Sequence, residues 1–449
     1  MFKTILIANR GEIALRVART CRELGIRTVV AHSTADRDSA PVRYADASVQ
    51  IGPAAARHSY NNAAAIVSAA LQSGAEAVHP GYGFLSEDPD FAEICAAEGL
   101  TFVGPSAEVI ALLGDKMRAR RFVADIGLDV LPGSDPAQDA PADLARTAEK
   151  IGYPVIIKAS AGGGGRGMTI VHDPRDFTRA HAETRRTAQS LFGDSRVYVE
   201  KYLETARHIE LQILADGHGN AVYLGARDCS VQRRRQKLIE ESPPPSVSAH
   251  EVDRVGLLAA KVAREAGYVG AGTFEFVVDQ DGRFYFLEVN SRIQVEHPVT
   301  EMVTGIDLVR EQLVAASGGR LSVRQDDIVL RGSSIECRIN AEDPARGFLP
   351  TPGLIDAFVP PGGPFVRVDS HAGSGARITA DYDSLLAKVI VWAPDRAQAI
   401  ARMDRALEEL VVDSAQVRTT TGFLREVLAH PLFQKAEHTT GLVDQMFAS

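Results

Sequence analysis

The chain has 449 residues, 45% hydrophobic and 24% charged, and a formal net charge of -9. A soluble composition at this length exceeds what one hydrophobic core sustains, so two or three domains are expected. The acidic balance argues against nucleic-acid binding, which needs a basic face, and nowhere do eighteen apolar residues run together as a membrane span requires.

Cys21, Cys95, Cys229 and Cys337 lie far apart and form no C-x-x-C pair, which disfavours a zinc knuckle or a disulfide framework and fits a reducing compartment. The opening "MFKTILIANRGE" has an apolar stretch too short for a signal sequence, so a cytoplasmic location is expected.

In chain order, "TILIA" (4 to 8) predicts a buried strand, and Ile13, Val17, Cys21 and Leu24 then recur at helical spacing until Gly25. "RTVVAH" follows as a second strand, giving a βαβ unit, and α/β alternation continues through "AEAVHPGYGF" and "LTFVGP". The first turn, "ANRGEIA", lacks the G-x-G-x-x-G of a dinucleotide site. The stretch "LPGSDPAQDAPADLA" (131 to 145) marks a surface connection, and a second lies near "SGGRLSVRQDD" (317 to 327), after which strands return in "SSIECRIN" and "LLAKVIVW".

After the apolar run Val155, Ile156, Ile157 and then Lys158 comes "ASAGGGGRGM", with four consecutive glycines. Such a run is costly to order, and it persists where a backbone must flex or approach a ligand closely. "MTIV" follows it and is strand-like, so neither a Rossmann turn nor a Walker A loop is completed, since both need a helix there. A strand-loop-strand flap remains. It reads either as an anion nest closing on phosphates or as a floppy surface hairpin.

"GTFEFVVDQDGRFYFLEVNSRIQVEHPVTEM" (272 to 302) predicts a hairpin. A two-residue turn with Asp279 opposite Gly282 sets Glu275 opposite Phe286 and Glu288 opposite Thr273, so Glu275, Glu288 and Asn290 share one face unless a one-residue bulge intervenes. Two carboxylates and an amide oxygen suit a hard cation such as Mg²⁺; two solvated glutamates are the other reading. The alternation is expected to continue, with Asn290, Arg292, Gln294 and Glu296 on a polar side and Val289, Ile293 and Val295 on the other.

In "RHIELQIL", His208, Glu210 and Gln212 interleave with apolar residues, and His208 reads as a site residue or as a hydrogen-bonded strand histidine. In "RDCSVQRRRQKLIEE", Arg233, Arg234, Arg235 and Lys237 form either a solvated basic face or a surface for an anionic substrate.

The motifs "KASAGGGGRGM", "QRRRQK", "GAGTFEF", "EVNSRIQVEHPVTE" and "ECRINAEDP", in this order, with "ILIANRGEIALR" and "HPGYGFLSE" (79 to 87) before them, resemble biotin carboxylase of the ATP-grasp superfamily over essentially the whole chain. The resemblance implies a fold that is part α/β and part α+β. It would comprise an N-terminal Rossmann-like βαβ domain (1–114), an ATP-grasp domain (115–325) with a mobile glycine-rich lid at about 131–203, and a mostly β C-terminal domain (330–445).

It further implies that ATP phosphorylates bicarbonate to carboxyphosphate and that the released CO₂ is captured by the ureido N1′ of biotin. By the same resemblance Lys116, Lys158, His208 and Lys237 hold phosphates, with Gly163, Gly164 and Gly165 closing over them, while Glu275, Glu288 and Asn290 hold Mg²⁺ or Mn²⁺. Glu200, Lys201 and Leu203 match the adenine segment, and Gln232, Gln294 and Val295 complete the ligand set. Arg292 is the bicarbonate clamp, Glu296 the base, and Arg338 the partner of the enolate-like biotin oxygen; Lys237 joins them as a catalytic residue.

Two positions depart from the family pattern, Arg235 where histidine is common and Ala226 where glutamate is common. Dimer contacts in the family fall partly on the first helix, at Arg16, Arg19 and Glu23, so a homodimer is expected. With no A-M-K-M-like hairpin, the expected partners are a biotin carboxyl carrier protein and carboxyltransferase subunits, with acetyl-CoA as the favoured acceptor and fatty acid biosynthesis as the setting. The alternatives are propionyl- or methylcrotonyl-CoA systems, a different ATP-grasp carboxylate or carbamoyl ligase, and a catalytically silent nucleotide-binding chain.

Overall fold

The computed structural model describes residues 1–134, 140–160 and 167–448. Gly163, Gly164 and Gly165 therefore lie outside the described residues.

The β-branched runs of the first hundred residues form a parallel sheet. Its strands β1 (Thr4–Ile7), β2 (Arg27–Ser33), β3 (Ala47–Gly52), β4 (Ala77–His79) and β5 (Thr101–Phe102) lie in the order β3-β2-β1-β4-β5. Parallel strands are covered on both faces. Helix α1 (Gly11–Glu23) packs on one side, and α2 (Ala63–Ser73) and α3 (Pro89–Ala97) on the other. Gly11 opens α1 at φ +68°, a conformation that side chains rarely adopt, and an added Cβ would also meet the His371 ring at 3.5 Å.

Ile13, Val17 and Cys21 of α1 share one core with Ile5, Ile7, Ile293, Leu308 and Leu313. Each buried Ile or Leu contributes about 1.5–3 kcal/mol. An exposed ion pair gives about 0–1 kcal/mol. Apolar burial, then, seats the N-terminal part on the middle of the chain. Arg16, expected with Arg19 and Glu23 among the dimer contacts, is buried within the chain: its guanidinium meets Glu301 at 2.9 Å and Asp307 at 2.7 Å, while Arg19 and Glu23 are exposed.

In the middle of the chain, α4 (Lys116–Ile126) leads into a small layer. Its helices α5 (Pro141–Ile151) and α6 (Phe177–Phe192) cover a sheet of β6 (Val155–Ala159), β7 (Met168–Val171) and β8 (Val197–Lys201) in the order β7-β6-β8. The segments flanking the glycine run thus pair antiparallel, Lys158 opposite Met168.

The largest sheet begins with β9 (Arg207–Ala215), β10 (Ala221–Arg233) and β11 (Gln236–Ser242), backed by α7 (Ala249–Glu265), and adds β12 (Gly270–Val278) and β13 (Phe284–Asn290). It does not end at the 317–327 connection. After α8 (His297–Thr304), β14 (Ser333–Asn340), β15 (Val366–Ser370) and β16 (Leu385–Ala393) extend it to the order β13-β12-β9-β10-β11-β14-β16-β15, with α9 (Arg396–Glu409) over its far face.

The β12–β13 register corrects the sequence expectation. Glu275 lies opposite Glu288 and Thr273 opposite Asn290, not Phe286 and Glu288. The loop is one residue longer than a two-residue turn: Asp279 N–H donates to the Arg283 carbonyl at 3.1 Å, and Gly282 takes φ +80°. A bulge then shifts the pairing between Phe276–Phe286 and Glu275–Glu288.

The expected alternation also stops early. β13 ends at Asn290, and residues 291–296 run as irregular chain into α8, which carries proline in its first turn.

Candidate active site

A cleft of about 1110 Å³ opens where the N-terminal part, the small layer, the long sheet and the C-terminal strands meet. Lys116, Lys158, Lys201, Leu203, His208, Gln232, Lys237, Glu275, Glu288, Asn290, Arg292, Gln294, Val295 and Arg338 all line it. Glu200 and Glu296 do not; both are buried just behind the wall.

β9 and β10 supply the floor. Because strand side chains alternate, His208 and Glu210 point to one face, and Gln232, directly opposite Lys237, belongs to that working side. Of the basic run, Arg234, Arg235 and Lys237 line the cleft. Arg234 and Arg235 take φ +47° and +68° at the hairpin tip, Arg233 packs over the Phe348 ring at 4.3 Å, and only Lys237 points into the carboxylate cluster. Ala226 is a core residue here, accepting Ser242 Oγ at its carbonyl.

Lys237 Nζ lies 2.5 Å from Glu210 Oε2, 2.9 Å from Glu275 Oε1 and 2.6 Å from Glu296 Oε1. Burial opposes its charge, but three carboxylates raise its pKa well above the ordinary lysine value. Glu210 gives its other oxygen to the wholly buried Arg227 at 2.5 Å. Arg227 also reaches Gln212, Thr300 and Thr273, so its planar fork fixes the floor from below.

Glu296 carries the central geometry. Its Oε1 accepts from Lys237 and its Oε2 from Arg338 Nη2 at 2.9 Å, while Arg338 Nε donates to Glu240 at 2.6 Å. Burial alone would raise the Glu296 pKa; Lys237 and Arg338, with Arg227 beyond them, hold it well below the usual carboxylate range.

Around the expected metal set, Asn290 Nδ2 donates to Glu275 Oε1 at 2.9 Å and Lys116 Nζ lies 3.0 Å from Glu288 Oε2. His208 Nε2 sits 3.0 Å from Glu275 Oε2, an ion contact without hydrogen-bond alignment. Burial disfavours the imidazolium, yet Glu275 raises its pKa. Two carboxylates and an amide oxygen facing one cleft are a hard-cation donor set, and the flanking cations suit phosphate oxygens. His208, Glu210 and Glu275 bring ligand atoms within 4.8 Å of one another, as do Glu210, Cys229 and Glu296. Burial pushes the Cys229 thiol well up.

Glu200 places its carboxylate on Lys158 Nζ and on Arg120, and Lys201 Nζ donates to the carbonyls of Gly152 and Tyr153. These side chains hold the small layer and Lys158 in place. Arg292 donates to Glu87, Asn290 and Gln294 at 2.8, 3.0 and 3.0 Å. Sequence reasoning missed Glu87, Arg227 and Glu240. Glu87 ends the "HPGYGFLSE" segment, but nothing local signals its reach to Arg292.

Family models match in chain order: "Biotin carboxylase, N-terminal domain" at residues 1–110, "Carbamoyl-phosphate synthase L chain, ATP binding domain" at 115–324, and "Biotin carboxylase C-terminal domain" at 336–445. The chain is 51% identical to a biotin carboxylase of Nostoc sp., covering 99% of each. It is 49% identical to a pyruvate carboxylase subunit of Methanothermobacter thermautotrophicus, covering 99% of this chain and 90% of that one. The biotin carboxylase domain dimer of Hydrogenobacter thermophilus 2-oxoglutarate carboxylase, solved with MgADP, ADP and bicarbonate, superposes with a TM-score of 0.96 at 45% identity, covering 99% of this chain and 98% of that one.

Proposed function

As the chain belongs to the biotin carboxylase family of ATP-dependent ligases, we propose that it carboxylates biotin at N1′ from bicarbonate and ATP, releasing ADP and phosphate. The observation that supports this reading most is the division of Glu296 between Lys237 on the phosphate side and Arg338 on the far side. One carboxylate touches both ends of a two-step reaction.

In this reading Lys116, Lys158, His208 and Lys237 neutralise the polyphosphate, and Gly163, Gly164 and Gly165 close over it. Glu200, Lys201, Leu203 and Gln232 frame the nucleotide end. Glu275, Glu288 and Asn290 would hold Mg²⁺ or Mn²⁺, which when bound offsets the charge developing on the phosphate oxygens. Arg292, Gln294 and Val295 seat bicarbonate, and Glu296 accepts its proton as its oxygen attacks the γ-phosphorus. Carboxyphosphate then breaks to CO₂ and phosphate, the released phosphate takes the N1′ proton, N1′ attacks CO₂, and Arg338 stabilises the ureido oxygen.

The biotin arrives on a carrier protein, a transferase moves the carboxyl group onward, and the chain works as a homodimer in the cytoplasm. Acetyl-CoA is the proposed acceptor. Reconstitution with carrier and transferase, offering acetyl-CoA, propionyl-CoA and pyruvate in parallel, discriminates among the systems to which the relatives belong.

The decisive assay is ATP cleavage with and without bicarbonate and with and without free biotin. Cleavage should require bicarbonate and Mg²⁺ and should rise with biotin. Equal rates with and without biotin would overturn the carboxylase reading in favour of another ATP-grasp ligase.

A further inference from the structure

Behind Arg338 the long sheet buries two carboxyl groups that the reaction above does not use. Glu240 on β11 and Glu336 on β14 are direct cross-strand partners, so their side chains leave the same face of the sheet. Both are fully buried. Glu240 Oε1 receives Arg338, but Glu240 Oε2 and both oxygens of Glu336 have no hydrogen-bond donor among the described residues.

The surrounding charges do not balance two anions. Arg338 faces the pair from β14 and Lys237 from β11, but Lys237 is committed to Glu210, Glu275 and Glu296. Lys388 on β16 is nearest to Glu336 in effect, yet it is held by Glu12 at 3.1 Å and the Val295 carbonyl at 2.7 Å. From α8 and its cap come Glu296, a further anion, together with His297 and Glu301; from β15 come Arg367, which pairs with both Asp369 and Glu301, and Asp369, which also lies 3.9 Å from Lys388. α9 covers the opposite face with apolar residues. Like charges this close in a low-dielectric layer do not both ionise. Burial, the largest influence on each, pushes Glu240 up to about 7 and Glu336 well above the ordinary carboxyl value.

We infer that Glu240 and Glu336 share one proton and act as a positioning pair for Arg338. With the proton in place, a single negative charge lies behind the guanidinium, which is free to turn toward a substrate oxygen. Loss of the proton adds a second charge and draws Arg338 back onto Glu240. This rests on the reading that Arg338 serves biotin.

The test uses the full chain and its Glu336→Gln and Glu240→Gln variants, both near-isosteric. Two rates are followed against pH: carboxylation of free biotin, and biotin-independent, bicarbonate-dependent ATP cleavage. Wild-type carboxylation is expected to show a basic limb, falling about tenfold per pH unit, that ATP cleavage lacks. Either variant should flatten that limb, because neither pair can then acquire a second charge. Infrared spectra at neutral pH should show a protonated carboxyl band that Glu336→Gln removes. A merely structural role would lower the melting temperature and leave the limb where it was, which would overturn the inference, as would an unchanged carboxyl band. If Arg338→Ala carboxylates normally, the functional reading fails instead, while the infrared result still judges the pair.

Discussion

A carboxylate pinned by two cations is a weak base, and Glu296 is pinned at both oxygens. Its basicity rises when either cation leaves. If Arg338 turns to the biotin oxygen, Glu296 becomes a better proton acceptor when both substrates are seated, which links the half-reactions through one side chain. Arg338→Ala should therefore keep slow bicarbonate-dependent ATP cleavage, since Lys116, Lys158 and Lys237 are untouched. Its carboxybiotin yield should fall by roughly a hundred- to a thousandfold, the usual effect of losing one donor to a developing oxyanion. Phosphate release and carboxybiotin measured side by side decide this, and near-wild-type carboxylation would make the arginine structural. At this scale the sequence was legible where a motif carried the residue. Glu240 and Glu336 were not, because their meaning lies in a cross-strand pairing between residues 96 positions apart. The same pair has a stability signature: between the ordinary carboxyl value of 4.5 and about 7, the folded chain keeps a proton at Glu240 that the unfolded chain releases, so this site's contribution falls as pH rises through that window.

At the scale of the element, the β12–β13 hairpin shows how a right face can follow from a wrong register. The expected turn was one residue short and the expected strand had no bulge. Either difference alone would have moved Glu288 to the core face; together they amount to two residues, the period of a strand, and the face is restored. Turn length and bulges depend on twist and on neighbouring strands, so composition alone does not reveal them. Continuation of the strand to Glu296 failed for a similar reason: the Ser291 amide bonds Glu87 at 3.0 Å instead of a neighbouring strand. The bulge makes a separable prediction. Leu287, the extra residue, lines the cleft, and removing it leaves Phe286 followed by Glu288, which still falls opposite Glu275. A Leu287 deletion should fold with a loss of about 1–3 kcal/mol, keep its Mg²⁺ requirement, and show a raised KM for ATP. Loss of metal dependence in a folded deletion variant would mean that the bulge itself sets the ligand geometry.

At the scale of the whole molecule, the segment 291–296 is where the parts of the chain meet. Glu87 from the N-terminal part accepts the Ser291 amide and Arg292 Nε, and Lys388 from the C-terminal strands donates to the Val295 carbonyl while also meeting Glu12. The α/β opening was readable from periodicity, whereas the stretch read as a surface connection up to 145 already carries the start of α5 at Pro141. The continuity of one eight-stranded sheet through β11 and β14 was not readable, because that pairing joins segments on either side of a connection that composition marks as a break. An irregular segment clamped from two sides holds its side chains without ladder hydrogen bonds of its own, so its geometry should depend on residues far away in sequence. Glu87 is the sharpest case: it pairs with Arg292 rather than with Lys116, Lys158, Lys237 or Arg338, and its side chain is partly exposed, so its removal should spare the fold. Glu87→Ala should raise the KM for bicarbonate by about tenfold through a misplaced Arg292, with little change in kcat and in the KM for ATP. A fall in kcat with an unchanged bicarbonate KM would mean that Arg292 is positioned by Asn290 and Gln294 alone and that the N-terminal part does not reach the bicarbonate site.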